Sequence, residues 1–140
     1  MTRHEIRKEI FKIVFGNEFH DAEQLSEQLE LFLSGRDIAD EEDLLKNNKS
    51  AEDEEYIRNK AADIAAKLPE LDAIINEKVE GWKTTRMNKV DLAIIRLALY
   101  EIKFEELPVG VAINEAVSLA DEFGTDSSAG FVNGALSKLV

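Results

Sequence analysis

Apolar residues recur along this chain at intervals of three and four, and no stretch alternates apolar and polar positions. Ile6, Ile10, Ile13 and Val14 share one face of a helix predicted from about residue 3 to Gly16. Asp21 can cap a second helix, which presents Leu25, Leu29, Phe32 and Leu33 until Gly35 stops it. Residues 36 to 49 carry no apolar pattern beyond Leu44 and Leu45 and read as a linker. Ser50-Ala-Glu-Asp53 then offers a helix start with acids in its first turn, where they favour the dipole. That third helix presents Ile57, Ala61, Ile64, Ala65 and Leu68. Pro69 suits the first turn of a new helix better than the interior of the old one, and Leu71, Ile74, Ile75 and Val79 form the new face, ended by Gly81.

From about Thr85 to Phe104 the apolar positions spread most of the way around, through Val90, Leu92, Ile94, Ile95, Leu97, Leu99, Tyr100 and Ile102. Such a helix is buried on nearly all sides. Pro108 breaks the chain, a helix carrying Val109, Ala112, Ile113, Ala116, Ala120 and Phe123 follows, and Gly124 ends it. Ser127 or Ser128 can cap a last helix to about Leu139. The pattern predicts an all-α chain of about seven helices with no internal repeat.

With 140 residues, 44% of them hydrophobic, one compact domain with a real core is expected. There is no cysteine, so disulfides, thiolate metal sites and thiol nucleophiles are excluded, and a reducing cytoplasmic setting is compatible. No continuous apolar h-region opens the chain and no run of about eighteen apolar residues interrupts it. Neither a standard secretion signal nor a membrane span is expected.

The net charge of −12 argues at first sight against nucleic acid, because phosphate contacts need Lys and Arg. Its distribution changes the picture. Residues 36 to 55 hold nine acids against three bases, whereas residues 83 to 103 hold five bases (Lys83, Arg86, Lys89, Arg96, Lys103) against two acids. The acidic run lacks the ligand alternation, mid-loop Gly and final Glu of a calcium loop, and reads as a solvated face. No Gly-rich phosphate loop, His-Glu-x-x-His or Gly-x-Ser-x-Gly is present, and His4 and His20 stand far apart. No catalysis, cofactor or metal is expected.

On the first helix, His4, Lys8, Phe11 and Phe15 form a stripe beside that of Ile6, Ile10 and Ile13. Cations beside aromatic rings suit single-stranded RNA, whose splayed bases stack while Lys and Arg hold phosphates. Equally, the two phenylalanines can widen the core-facing stripe, and spacing alone leaves both readings open. Asn114, between apolar neighbours, is read as satisfying backbone groups at a helix crossing, and Gly130 and Gly134 as permitting close backbone approach by a neighbouring helix or by RNA, with packing the preferred reading. Arg96 can pair with Glu101 or Glu115.

Four blocks near the end of the chain occur together: Arg96-Leu-Ala-Leu-Tyr-Glu101, Pro108, Ile113-Asn-Glu-Ala116 and Phe131-Val-Asn-Gly134. In this order the chain resembles the NusB family of bacterial transcription antitermination factors. The resemblance implies a single NusB-like RNA-binding domain over residues 1–140, with an acidic linker near 36–50. It further implies a cytoplasmic protein that binds boxA-type single-stranded RNA of ribosomal operon transcripts together with NusE, a small-subunit ribosomal protein, within the RNA polymerase antitermination complex.

By the same resemblance the first helix carries a basic RNA-contacting motif ending in an aromatic at Phe15; here the motif offers Arg3, His4, Arg7 and Lys8, interleaved with Glu5 and Glu9. So thinned a motif implies modest RNA affinity. A second candidate patch joins the start of the buried helix (Arg86, Lys89, Asp91) to the start of the last one (Ser127, Ser128, Phe131). The resemblance implies that Asp91 accepts hydrogen bonds from a base and that Phe131 stacks on one. From the residues alone, Asp91 fits a helix-start carboxylate and Phe131 a core anchor just as well. The alternative function is an acidic all-helical protein–protein adaptor with little intrinsic RNA binding. Monomer and homodimer are both compatible with the sequence.

Overall fold

The computed structural model describes residues 1–17, 51–79 and 81–140. The helix predicted from Asp21 to Gly35 and the acidic linker lie outside them. The described residues form an all-α structure of six helices: α1 (Arg3–Gly16), α2 (Ala51–Ala66), α3 (Leu68–Lys78), α4 (Lys89–Phe104), α5 (Val109–Phe123) and α6 (Ser128–Leu139). The chain divides into two compact units, Met1–Ala62 and Asp63–Val140, the division falling within α2. None of the helices among the described residues is long and apolar enough to cross a membrane.

In the first unit, α1 starts in a capping box: Thr2 Oγ1 accepts from the Glu5 N–H at 3.1 Å, and the Thr2 N–H donates to Glu5 Oε2 at 2.9 Å. Its buried face is Ile10, Phe11, Val14 and Phe15, and the two phenyl rings stack with centroids 6.1 Å apart. This corrects the stripe read from the sequence, since Ile6 is half-buried and Ile13 is 37% exposed. At about 100° per residue, a face centred between Phe11 and Val14 leaves Ile13 roughly 130° away. Burying both rings withdraws the most apolar surface available on this helix.

The second unit is organised around α4, whose residues from Asp91 to Glu101 are all buried. It packs on α3, α5 and α6, and α6 also meets α3 and lies along α5. The helix starts later than the predicted Thr85. Asn88 caps it, its Oδ1 accepting from the N–H groups of Val90 (2.8 Å) and Asp91 (3.4 Å).

Two side chains one turn apart on α4 tie it to its neighbours. Arg96 grips Asp72 of α3 in a bidentate pair, Nε to Oδ1 at 2.8 Å and Nη2 to Oδ2 at 2.7 Å, rather than the Glu101 or Glu115 carboxylates suggested by spacing. Burial pushes the Asp72 carboxyl up to about 6 and the Arg96 guanidinium down to about 10. Tyr100 donates its hydroxyl to Asp63 Oδ2 at 2.5 Å, and Lys67 reaches Asp63 Oδ1 at 2.6 Å. Hydrogen bonds from Lys67 and then Tyr100 hold the Asp63 carboxyl below its ordinary value.

The α5–α6 corner depends on Gly124. With φ of −92° it needs no left-handed conformation, but a Cβ there would collide with the Ser128 side chain and approach the Ala120 carbonyl oxygen to 2.7 Å.

Candidate nucleic-acid interface

Each unit carries one group of the RNA-binding residues predicted from the sequence. On α1, Arg3 is exposed and makes no ion pair among the described residues, while His4, Arg7 and Lys8 are half-buried. Of the two acids interleaved with them, Glu5 is engaged in the capping box and Glu9 lies 3.9 Å from Lys12. The acids therefore have local partners. Phe11 and Phe15 sit in the buried face, so as placed neither ring offers a face to a stacked base.

In the second unit, Arg86, Lys89 and Asp91 fall at the entry to α4, and Ser127, Ser128 and Phe131 at the start of α6. Arg86 and Lys89 are exposed. Asp91 is only 7% exposed, and its Oδ1 is buried without a hydrogen-bond partner. A carboxylate oxygen so placed has full acceptor capacity for an amine or ring N–H. Its position in the first turn of α4 also favours the helix dipole, so both sequence readings of Asp91 fit its place.

Phe131 is half-buried and meets Trp82 edge-on, ring centroids 5.3 Å apart at 69°. Through that contact the first turn of α6 touches the loop that leads into α4. Ser128 is fully buried, and its Oγ accepts from the Thr125 N–H at 2.9 Å; its hydroxyl serves the corner. Ser127 occupies the N-cap position of α6 but caps no helical N–H; it lies exposed, its Oγ 3.2 Å from Thr125 Oγ1. Gly130 and Gly134 contradict the packing expectation: both are exposed, and a Cβ on either would meet nothing within 4 Å. Asn114 is exposed as well, so it satisfies no buried helix crossing.

Sequence reasoning passed over Trp82. It belongs to no helical face and stands between Gly81 and Lys83, and an aromatic outside every apolar period was the available signal.

An all-helical protein built on one buried helix, with cations and part-open aromatic rings collected at helix starts, is the class these features define. Residues 4–140 match the NusB family. The chain is 52% identical over 139 residues to transcription antitermination protein NusB of Agathobacter rectalis, covering 99% of this chain and 98% of that protein. It is 43% identical over 141 residues to the protein of the same name from Lachnoclostridium phytofermentans, covering 100% and 99%. A solved structure of T. maritima NusB superposes with a TM-score of 0.74 at 30% identity, covering 99% of this chain and 90% of that one. The chain belongs to the NusB family.

Proposed function

We propose that this chain is a transcription antitermination factor that binds boxA-type single-stranded RNA of ribosomal operon transcripts jointly with NusE, within the RNA polymerase antitermination complex. What carries the reading is kinship along the whole chain with proteins named transcription antitermination protein NusB. In this role no covalent bond is made or broken; the RNA is held and presented. Arg3, His4, Arg7 and Lys8 of α1, with Arg86 and Lys89 at the α4 entry, contact phosphates and set affinity. Asp91 accepts from a base edge and Phe131 stacks, which sets preference. Phe11 and Phe15 support α1 from within.

The division of labour is testable by affinity titrations on boxA and scrambled RNA of equal length at three or more salt concentrations. Lys8→Ala weakens both RNAs alike and flattens the log–log salt slope by about 0.7, the value of one single-strand phosphate contact. Asp91→Asn keeps the shape but exchanges an acceptor for a donor, so discrimination between the RNAs shrinks while the slope barely moves. Equal loss on both RNAs, or no loss on either, would assign Asp91 to the helix start alone. Failure of the wild-type chain to bind either RNA would favour the acidic adaptor, the reading that the charge of −12 supports.

A further inference from the structure

The loop between α3 and α4 holds the chain's one tryptophan in a setting that packing does not explain. Trp82 is 49% exposed, and among the described residues its indole N–H meets no acceptor. Its ring contact is the edge-on one to Phe131, itself half-buried. A buried indole withdraws a large apolar area and usually finds a hydrogen bond; this one leaves about half its area open and has no such bond among the described residues.

The loop is nonetheless held at several points. The Trp82 N–H reaches the Val79 carbonyl at 3.4 Å, the Thr84 N–H donates to Asn76 Oδ1 at 2.8 Å, and the Arg86 N–H donates to the Lys83 carbonyl at 2.8 Å. Gly81 makes the preceding turn with φ of 81°, a conformation that L side chains rarely adopt, and Met87 anchors the far end in the core. The indole is thus presented on a preorganised loop, which lowers the ordering cost of binding.

Charge completes the pattern. Glu80 is the one acid of this loop and residues 81 to 88 hold none; Lys83 and Arg86 are exposed and, among the described residues, without ion pairs, although the chain as a whole carries −12. An accessible aromatic face flanked by exposed cations is the arrangement that grips a single strand, the ring stacking on a base while the cations hold neighbouring phosphates. We propose that Trp82 is a base-stacking residue and that, with Lys83 and Arg86, it makes the loop before α4 a clamp on single-stranded RNA, continuous with Phe131. This rests on the RNA-binding reading above and adds Trp82 and Lys83 to it.

Because Trp82 is the sole tryptophan, its fluorescence reports on this position alone. The chain is titrated with a boxA-containing single-stranded RNA of about twelve nucleotides, within the span such sites cover, and binding is followed in parallel by mobility shift. The indole emission is expected to be quenched with the same midpoint as the shift. Trp82→Ala should weaken binding roughly 5- to 150-fold, Trp82→Phe should retain most of it, and Lys83→Ala should flatten the salt slope by about 0.7. Melting curves report whether each variant is folded, and quenching of the wild-type protein decides the matter should Trp82→Ala not fold. RNA binding with unchanged emission and unaltered affinity of folded Trp82→Ala, or a folded Trp82→Phe that binds as weakly as Trp82→Ala, would overturn the stacking role and leave the RNA-binding reading standing. Loss of NusE binding by Trp82→Ala with RNA affinity intact would overturn it too, by making the ring a protein contact. No RNA binding by the wild-type chain in either assay would overturn both.

Discussion

Gly124 has room for no side-chain atom, because Ser128 folds back over it to receive the Thr125 N–H. Gly124→Ala must push the start of α6 away, so a loss of about 1–3 kcal/mol is expected from thermal melts. Stability unaltered by the substitution would mean that the corner opens freely. The phenylalanines divide in the same physical way. Phe15→Ala removes a buried ring stacked on Phe11 and should cost about 3–5 kcal/mol of stability. Phe131→Ala removes a half-buried ring, so melting should change less while RNA affinity falls by about 1–3 kcal/mol. The helical period of α1 was legible in the sequence, but which of two adjoining stripes faces inward was not, since Ile and Phe are both apolar and the choice rests on neighbours distant in sequence.

At the scale of elements, α4 is fastened to α3 by the pairing of Arg96 with Asp72, twenty-four residues apart. Arg96→Met leaves a part-buried carboxylate without its partner, and Asp72→Leu leaves a buried guanidinium; each single change should cost about 3–5 kcal/mol. The double replacement should cost far less than the sum, because no charge is then left uncompensated. Additive losses in denaturant melts would assign the pair no mutual dependence. The burial of α4 on all sides could be read from its apolar positions, and Pro108 and Gly124 marked the ends of α5 correctly. The partner of Arg96 could not be read, because Glu101 and Glu115 satisfy the same charge rule and only the packing of α3 on α4 selects Asp72. The true start of α4 was legible in principle: Asn88 is a strong N-cap residue, masked by the apolar Met87 before it.

For the whole molecule, the proposed function requires a chain of net charge −12 to engage a polyanion. Locality answers it in part: α1 and the 83–89 segment hold seven of the 17 Lys and Arg residues, and Glu5 and Glu9 have partners of their own. The number of cations is still small, so under the proposed function the chain alone would make few phosphate contacts, and a partner that extends the positive surface would add to them. The whole-chain similarity to NusB was legible from four short blocks in the last third, whereas the exposure of Trp82 beside Phe131 was not, because an aromatic outside every apolar period is visible in the sequence but its neighbour, forty-nine residues on, is set by packing. The most direct test of the account is the affinity for boxA RNA at one fixed salt concentration, measured with and without NusE. Weak binding by the chain alone, tightened by NusE about 5- to 150-fold, is the predicted result. Equal affinities in the two measurements, or no binding in either, would contradict it.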